Sequence, residues 1–188
     1  MAARTKSIRK ASTAKKPGVY TLEIHIIGGP VTDAFIERNP VVARTLEIRG
    51  DQTLQDLHAA IFDAFDREEE HLYEFQLGKA PNHPKAKRYV LPDPMDGSIE
   101  DDPYVMGAVH RTTIASLGLK VDQIFGYWFD FGDDWWHQIM VMAIGDAVPR
   151  RRYPKVVKRQ GQSPPQYPDV DDEDGDDEEL EFEIEMED

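Results

Sequence analysis

The sequence contains no cysteine among its 188 residues. Disulfide bonds and thiolate metal sites are therefore excluded, and the composition is typical of a reducing compartment, so we expect a cytoplasmic location. No apolar run approaches the roughly 18 residues that a membrane-spanning helix needs, and no signal-peptide core follows the N-terminus, so we expect no membrane association. With 40% hydrophobic residues, the chain is able to bury one substantial core.

Each of three segments lacks either acidic or basic residues altogether, so it carries charge of a single sign. Residues 1–18 contain six Lys or Arg residues and no acid, residues 150–159 again contain six bases and no acid, and residues 169–188 contain 14 acids and no base. Between the first two segments, residues 19–149 carry 22 acids and 10 bases. An acidic body repels phosphate, so we expect a nucleic acid or acidic protein partner to contact the basic segments. Residues 1–18 and 169–188 are predicted to be charged tails, with disorder expected over residues 1–18 and 170–179.

The pattern of apolar residues predicts an α+β domain over residues 19–168, built on a mostly antiparallel sheet with a helix packed on one face. Strands are predicted over residues 20–27, 41–48, 71–77, 88–91, 123–130 and 135–144. Thr53 and Asp56 resemble a capping box, and apolar residues at helical spacing follow them, which predicts an amphipathic helix of about 12–14 residues. A short helix is predicted over 113–117, whereas residues 31–40 are interpreted as a loop. The oligomeric state is left open.

The acidic tail contains one patterned segment, residues 180–186, with the sequence LEFEIEM. Apolar residues alternate with glutamates in this segment, as they do in a half-buried strand. Three interpretations stay open: a solvated tail, a late edge strand, or a peptide that docks on a basic partner.

Gly132, Asp133 and Asp134 separate the last two strong strands and predict a hairpin turn. If Asp133 and Asp134 are the two turn residues, Asp130 lies directly opposite His137. A carboxylate beside an imidazole is able to orient a general base or to hold a metal, so Asp130 and His137 are the candidate catalytic residues. The same pair also fits a structural role, in which Asp130 accepts hydrogen bonds from the turn. A longer turn would separate the two residues.

Two further histidines widen this hypothesis. His58 lies on the apolar side of the predicted helix and His71 begins a strand. Together with Asp130 and His137 they are candidate ligands of a divalent metal, the one cofactor that the sequence suggests. Their spacing matches no metal-binding motif, and a histidine on an apolar face also fits a satisfied core position.

Aromatic and basic residues supply candidate binding surfaces. Six aromatic residues lie between positions 127 and 136: Tyr127, Trp128, Phe129, Phe131, Trp135 and Trp136. They fit either a stacking surface for bases or a peptide, or a hairpin buried on both faces, with Trp135 or Trp136 as an exposed anchor. A basic segment contains Arg150, Arg151 and Arg152 and the bases that follow them. It is compatible with binding to phosphates or to an acidic partner, or with a solvated linker.

The residues from Tyr127 to His137 follow the pattern Y-x-x-D-F-G-D-x-W-x-H. This resembles the motif of the plasmid pRiA4b ORF-3-like family, also known as insertion-element passenger proteins and often labelled TnpR-like. Further matches, in the same order as in the family, are Tyr20–Ile27; Pro40, Val42 and Arg44; Thr53, Leu54, Leu57 and His58; His71, Leu72 and Phe75; Tyr153 and Pro154; and residues 161–165.

The chain departs from the family pattern at three places: Ala43 replaces a tryptophan, Asp66-Arg67 replaces a Gly-Trp pair, and an insertion-like segment precedes Pro40. The resemblance implies an α+β fold and an association with mobile elements, and it implies no established reaction.

Three functions are compatible with these patterns. The first is a noncatalytic binding or regulatory module associated with mobile elements, which recognises a protein or a nucleic acid through the aromatic hairpin and the basic segments. The second is a metal-dependent hydrolase that uses the His/Asp cluster. The third is an accessory protein of DNA recombination that contacts DNA through Arg150–Arg152.

Overall fold

One sheet organises the chain, and helices connect some of its strands. The computed structural model describes residues 17–91 and 102–168, so nearly all of the predicted basic tail and the whole acidic tail lie outside the described residues. The strands are β1 (Gly18–Gly28), β2 (Ala43–Arg49), β3 (Tyr73–Leu77), β4 (Lys87–Val90), β5 (Val105–Ala108), β6 (Ile124–Phe129), β7 (Trp135–Asp146) and β8 (Lys155–Gln160). The helices are α1 (Asp33–Arg38), α2 (Leu54–Ala64) and a 3₁₀ turn at Ile114–Leu117.

In the described ranges the eight strands lie in the order β5-β4-β3-β6-β7-β1-β2-β8. All neighbouring strands are antiparallel except β4 and β5, which are parallel. The first strand, β1, lies between β2 and β7. It therefore pairs with the strand that comes next in the sequence and with a strand that is much later in the sequence. The predicted mostly antiparallel sheet is therefore confirmed.

Helix α2 begins where the sequence predicts. The Thr53 side chain accepts a hydrogen bond from the Asp56 N–H at 3.1 Å, and the Asp56 carboxylate accepts one from the Thr53 N–H at 2.7 Å. This reciprocal pair satisfies two N–H groups that a helix start leaves free. Leu54, Leu57 and Ile61 are buried in the same core as the sheet residues, and each contributes about 1.5–3 kcal/mol.

The sheet has two different faces, because side chains alternate along each strand. On β1, Leu22 and Ile24 are fully buried in the core, and we call this side the covered face. Glu23 and His25 point to the other side and are only half-buried, and we call this side the open face. The strand register places these further residues on the open face: Thr45, Glu47, Trp128, Trp136, Gln138 and Met140.

A buried arginine joins three parts of the domain. The Arg44 guanidinium donates to the carbonyl of Ala64 at 2.8 Å, to that of Gln160 at 2.9 Å and to the Ser163 hydroxyl at 2.7 Å. Strand β2 is thereby bonded to the end of α2 and to the residues that follow β8. A charged group that is 2% exposed is stable here because its donors are used.

Three elements were not predicted. Helix α1 lies in the expected loop, where the Thr32 side chain accepts a bond from the Phe35 N–H and caps it. Strand β5 lies in a segment without a strong pattern. Strand β8 corrects the interpretation of its residues as a solvated linker: they pair with β2, and their charges are those expected of a sheet edge exposed to water. No helix in residues 17–91 and 102–168 is both long and apolar enough to cross a membrane.

Candidate functional site

The turn of the β6–β7 hairpin is longer than predicted. Phe129 pairs with Trp135 and Tyr127 pairs with His137, so the turn runs from Asp130 to Asp134. The expectation that Asp130 lies opposite His137 is therefore wrong. The reason is local: Asp130 has a φ of 56°, and its Oδ1 accepts a hydrogen bond from the Gly132 N–H at 3.1 Å. Asp130 thus folds the turn instead of continuing the strand.

Asp130 approaches a different histidine. Its Oδ2 lies 3.5 Å from Nε2 of His71, which is also 2.7 Å from the Tyr167 hydroxyl. Tyr167 in turn donates to Glu69 at 3.2 Å. This group is partly exposed and connects the turn to the residues after β8. It contains a carboxylate and an imidazole, which is the pairing that the sequence suggests, but with His71 in place of His137.

His137 is 1% exposed and lies on the covered face. Its Nδ1 is 3.2 Å from the Trp135 carbonyl, and its Nε2 has no hydrogen-bond partner within the described protein. Burial, and secondarily the positive charge of Arg67, lowers the pKa of His137 to about 3. The imidazole is therefore neutral near pH 7 and is shielded from solvent, which suits a structural role in the core.

His58 connects α2 to β6 and to the segment after α2. Its Nε2 lies 2.9 Å from the Glu70 carboxylate, and its Nδ1 lies 2.7 Å from the Tyr127 hydroxyl. Because a carboxylate only accepts, Nε2–H donates to Glu70 and the Tyr127 O–H donates to Nδ1. The ring also stacks on Tyr73 at 3.6 Å. Burial lowers the pKa of His58, and the bond to Glu70 opposes this shift.

The four candidate metal ligands are thus distributed over separate contacts. His58 bonds to Tyr127 and Glu70, His71 approaches Asp130, and His137 bonds to the backbone. Within residues 17–91 and 102–168, no three His, Asp or Glu side chains are grouped so that they could hold a metal ion. The structure does not assemble the predicted divalent-metal cluster.

Arg67 packs against Trp135 of the hairpin motif, and the sequence did not predict this contact. Its guanidinium lies 3.6 Å above the ring of Trp135, and Nη1 donates to the Pro164 carbonyl at 3.4 Å. Burial lowers the pKa of Arg67 to about 10, which leaves it charged at neutral pH. In the sequence, the departure from the family pattern pointed to this position, because Arg67 stands where the family has a tryptophan. The ring of Trp135 supplies a cation–π contact at this position.

The hairpin also carries a partly exposed aromatic cluster, which we define as Trp128, Phe131 and Trp136. The rings of Trp128 and Trp136 stack on the open face with centroids 4.6 Å apart and planes 10° apart. Phe131 packs 4.2 Å from Trp128 and is 41% exposed. Of the two predicted anchors, Trp135 is fully buried and Trp136 belongs to this partly exposed cluster.

The basic residues at 150–159 lie at one edge of the sheet. Arg150 and Arg152 are exposed, whereas Arg151 pairs with Glu47 at 3.1 Å. Lys155 and Lys158 are exposed on β8. Two of the three predicted binding arginines are therefore accessible to a partner, and the third is engaged with the domain itself.

Together, the mostly antiparallel sheet, the capped helix and the aspartate-rich aromatic hairpin define a sheet-rich domain with some helix, in which two of the motif histidines, His58 and His137, are buried. The chain belongs to the family of plasmid pRiA4b ORF-3-like proteins, whose family model matches residues 34–183. The fold is similar to the crystal structure of a protein of unknown function, MM3350 from Methanosarcina mazei Go1. The TM-score is 0.60 at 22% sequence identity, covering 81% of this chain and 74% of that one. No curated protein matches the chain.

Proposed function

We propose that this protein is a noncatalytic binding module that recognises a protein partner through the aromatic cluster. The observation that carries the proposal is the stacked pair of Trp128 and Trp136 on the open face, with Phe131 exposed beside it. Large aromatic side chains at the surface are the residues that most often dominate the affinity of protein interfaces. The stacked pair is already ordered in the free domain, so binding costs little side-chain entropy.

The charge around the cluster favours a protein over a nucleic acid. Asp133 and Asp134 lie in the same turn, and Asp134 accepts a hydrogen bond from Trp128 Nε1 at 3.0 Å. Glu23 adds a third carboxylate on the open face. These groups repel phosphate, so bases would stack on the cluster only against an unfavourable field.

The polar residues of the motif support a structural role rather than catalysis. His137 and His58 are buried, and Asp130 bonds to its own turn. The association with mobile elements that the family resemblance implies stays part of this proposal, with the module acting as a regulator within such an element.

The test compares two exposed apolar residues of similar accessibility. Phe131 in the cluster is 41% exposed, and Val121 outside it is 48% exposed. Proteins that are captured by the wild type are purified and titrated against the wild type, V121S and F131S. We expect F131S to weaken binding at least about tenfold, as at an interface hot spot. Equal affinity of F131S and V121S for every captured protein would contradict the proposal.

The exposed bases at the sheet edge support one alternative, an accessory role on DNA. Arg150, Arg152, Lys155 and Lys158 are accessible together. If they contact phosphates, the affinity for duplex DNA falls steeply with salt, and R150A/R152A reduces the slope by about two. Affinity that does not depend on these arginines would exclude this role.

A further inference from the structure

Strand β8 is the outermost strand on one side of the described sheet. It pairs with β2 along its inner side, and no strand in residues 17–91 or 102–168 pairs with its outer side. Such an edge presents unpaired N–H and C=O groups that are able to accept another strand.

The two faces of β8 differ in character. Lys155 pairs with Glu47 and Lys158 with Thr45, so both lysines lie on the open face, where they are exposed. Val156 pairs with the core residue Leu46 and packs against the core on the covered face. A strand added to this edge would therefore meet the two lysines on the open face, and on the covered face the apolar side chain of Val156 followed by Arg159.

A groove continues the apolar side beyond β8. It lies between α2 and the start of β8, has a volume of about 240 Å³ and is lined by Ala59, Ala60 and Val156, together with Pro154 and Lys155. Asp56 and Asp63 also line it. The small alanine side chains leave room for larger apolar residues on the covered face beside the edge.

The chain itself contains a segment with the matching pattern. In residues 180–186, Leu180, Phe182, Ile184 and Met186 alternate with Glu181, Glu183 and Glu185. In an extended segment this period of two places the apolar residues on one side and the glutamates on the other. The residues between Pro168 and Leu180 span up to roughly 40 Å when extended, which is long enough to return to β8.

We propose that residues 180–186 of the same chain add to the outer edge of β8. The apolar residues enter the groove beside Val156, and the glutamates lie next to Lys155 and Lys158 on the open face. The acidic segment thereby caps an edge that is otherwise open to association. This inference does not depend on the proposed function of the aromatic cluster.

The test uses the full chain and the amide hydrogen exchange of residues 155–160. In the first variant, Glu181, Glu183 and Glu185 are changed to Lys. A control, D171K/D172K/D174K, makes the same change in charge outside the segment. We expect the first variant to accelerate exchange of the outer-edge amides at least about tenfold, and the control to leave it within about twofold.

A charge swap separates pairing from a general effect of the tail. The variant K155E/K158E should also lose protection, and its combination with the three Glu→Lys changes should restore it, because opposite charges again face each other. Equal exchange in wild type and in the Glu→Lys variant would overturn the proposal. Protection that disappears on dilution would also overturn it, since the strand would then come from a second copy.

Discussion

Aromatic residues lie on both sides of the β6–β7 hairpin, but they have different roles on the two sides. On the covered face, Tyr127, Phe129 and Trp135 are at most 1% exposed and lie in the same core as the buried His137. On the open face, Trp128 and Trp136 stack on each other and remain partly accessible.

This difference explains the form of the motif. In Y-x-x-D-F-G-D-x-W-x-H, the specified Tyr127, Trp135 and His137 lie on the covered face, and the specified Asp130 folds the turn. Trp128 and Trp136 occupy unspecified positions. The motif therefore describes mainly how the hairpin packs and turns, and of the three residues proposed to bind a partner it specifies only Phe131.

The difference between the two faces of the hairpin is tested most directly by replacing one tryptophan on each face with alanine. Trp135 is fully buried under the Arg67 guanidinium, so W135A should lower the free energy of unfolding by about 3–5 kcal/mol. W136A removes only a partly exposed stacking contact and should cost no more than about 1.5 kcal/mol. Urea denaturation of both variants measures the difference. Equal losses would mean that the open face is as essential to stability as the core.

Two adjacent glycines contact the two tryptophans separately. Gly29 has a φ of +146°, and a Cβ there would overlap the ring of Trp135. G29A should therefore cost about 2–4 kcal/mol. A Cβ at Gly28 would lie 3.4 Å from the Cβ of Trp136, an ordinary contact, so G28A should cost less than about 1 kcal/mol. Thermal or urea unfolding of the pair provides the check, and similar values for both would contradict this account.

The buried imidazole of His137 should make the packing of the covered face depend on pH. The pKa of His137 is about 3 in the fold, against about 6.5 in an unfolded chain. The unfolded state therefore binds the proton first, and stability falls as the pH drops below about 6.5, by up to about 1.4 kcal/mol per pH unit.

Unfolding free energies of wild type and of H137Q, measured between pH 6.5 and 4.5, isolate this contribution. The wild type should lose about 2–3 kcal/mol more than H137Q over that range. Carboxylates that titrate in both chains cancel in the difference. Parallel pH curves would show that His137 is not held neutral by the fold.

The smallest effect is expected at the tip of the turn. Asp134 has a φ of 54°, which glycine adopts without strain, and its carboxylate accepts one exposed hydrogen bond from Trp128. In D134G the relief of strain and the lost bond should nearly cancel, with a net change within about 0.5 kcal/mol. Urea denaturation checks this value, and a loss above about 1 kcal/mol would assign the turn a larger part in ordering the aromatic cluster.

Helices and strands with a periodic pattern of apolar residues were predictable from the sequence. Helices and strands without a row of buried apolar residues were not. The alternation from Tyr20 to Ile27 and the capping box at Thr53 predicted β1 and α2, because apolar residues on one side must be buried. Helix α1 contains no buried residue, and β8 is a charged edge strand, so neither has a strong pattern.

The candidate site was less predictable for a related reason. A segment rich in Asp and Gly is compatible with several turn lengths, and the shift from two turn residues to the turn Asp130–Asp134 replaces Asp130 by Tyr127 as the partner of His137. The contact between Arg67 and Trp135 joins residues that are far apart in sequence. No local pattern reports such a contact, so it is visible only in the folded chain.

The hydrogen bond from Arg44 to Ser163 connects residues that are 119 positions apart. During synthesis on the ribosome, β1 and β2 emerge early, yet their outer partners β7 and β8 are made near the end of the domain. The nascent chain therefore carries unpaired strands through most of translation, as is usual for folds with many distant contacts. A product truncated before residue 160 would leave the guanidinium without its last acceptors, so incomplete chains should be readily degraded.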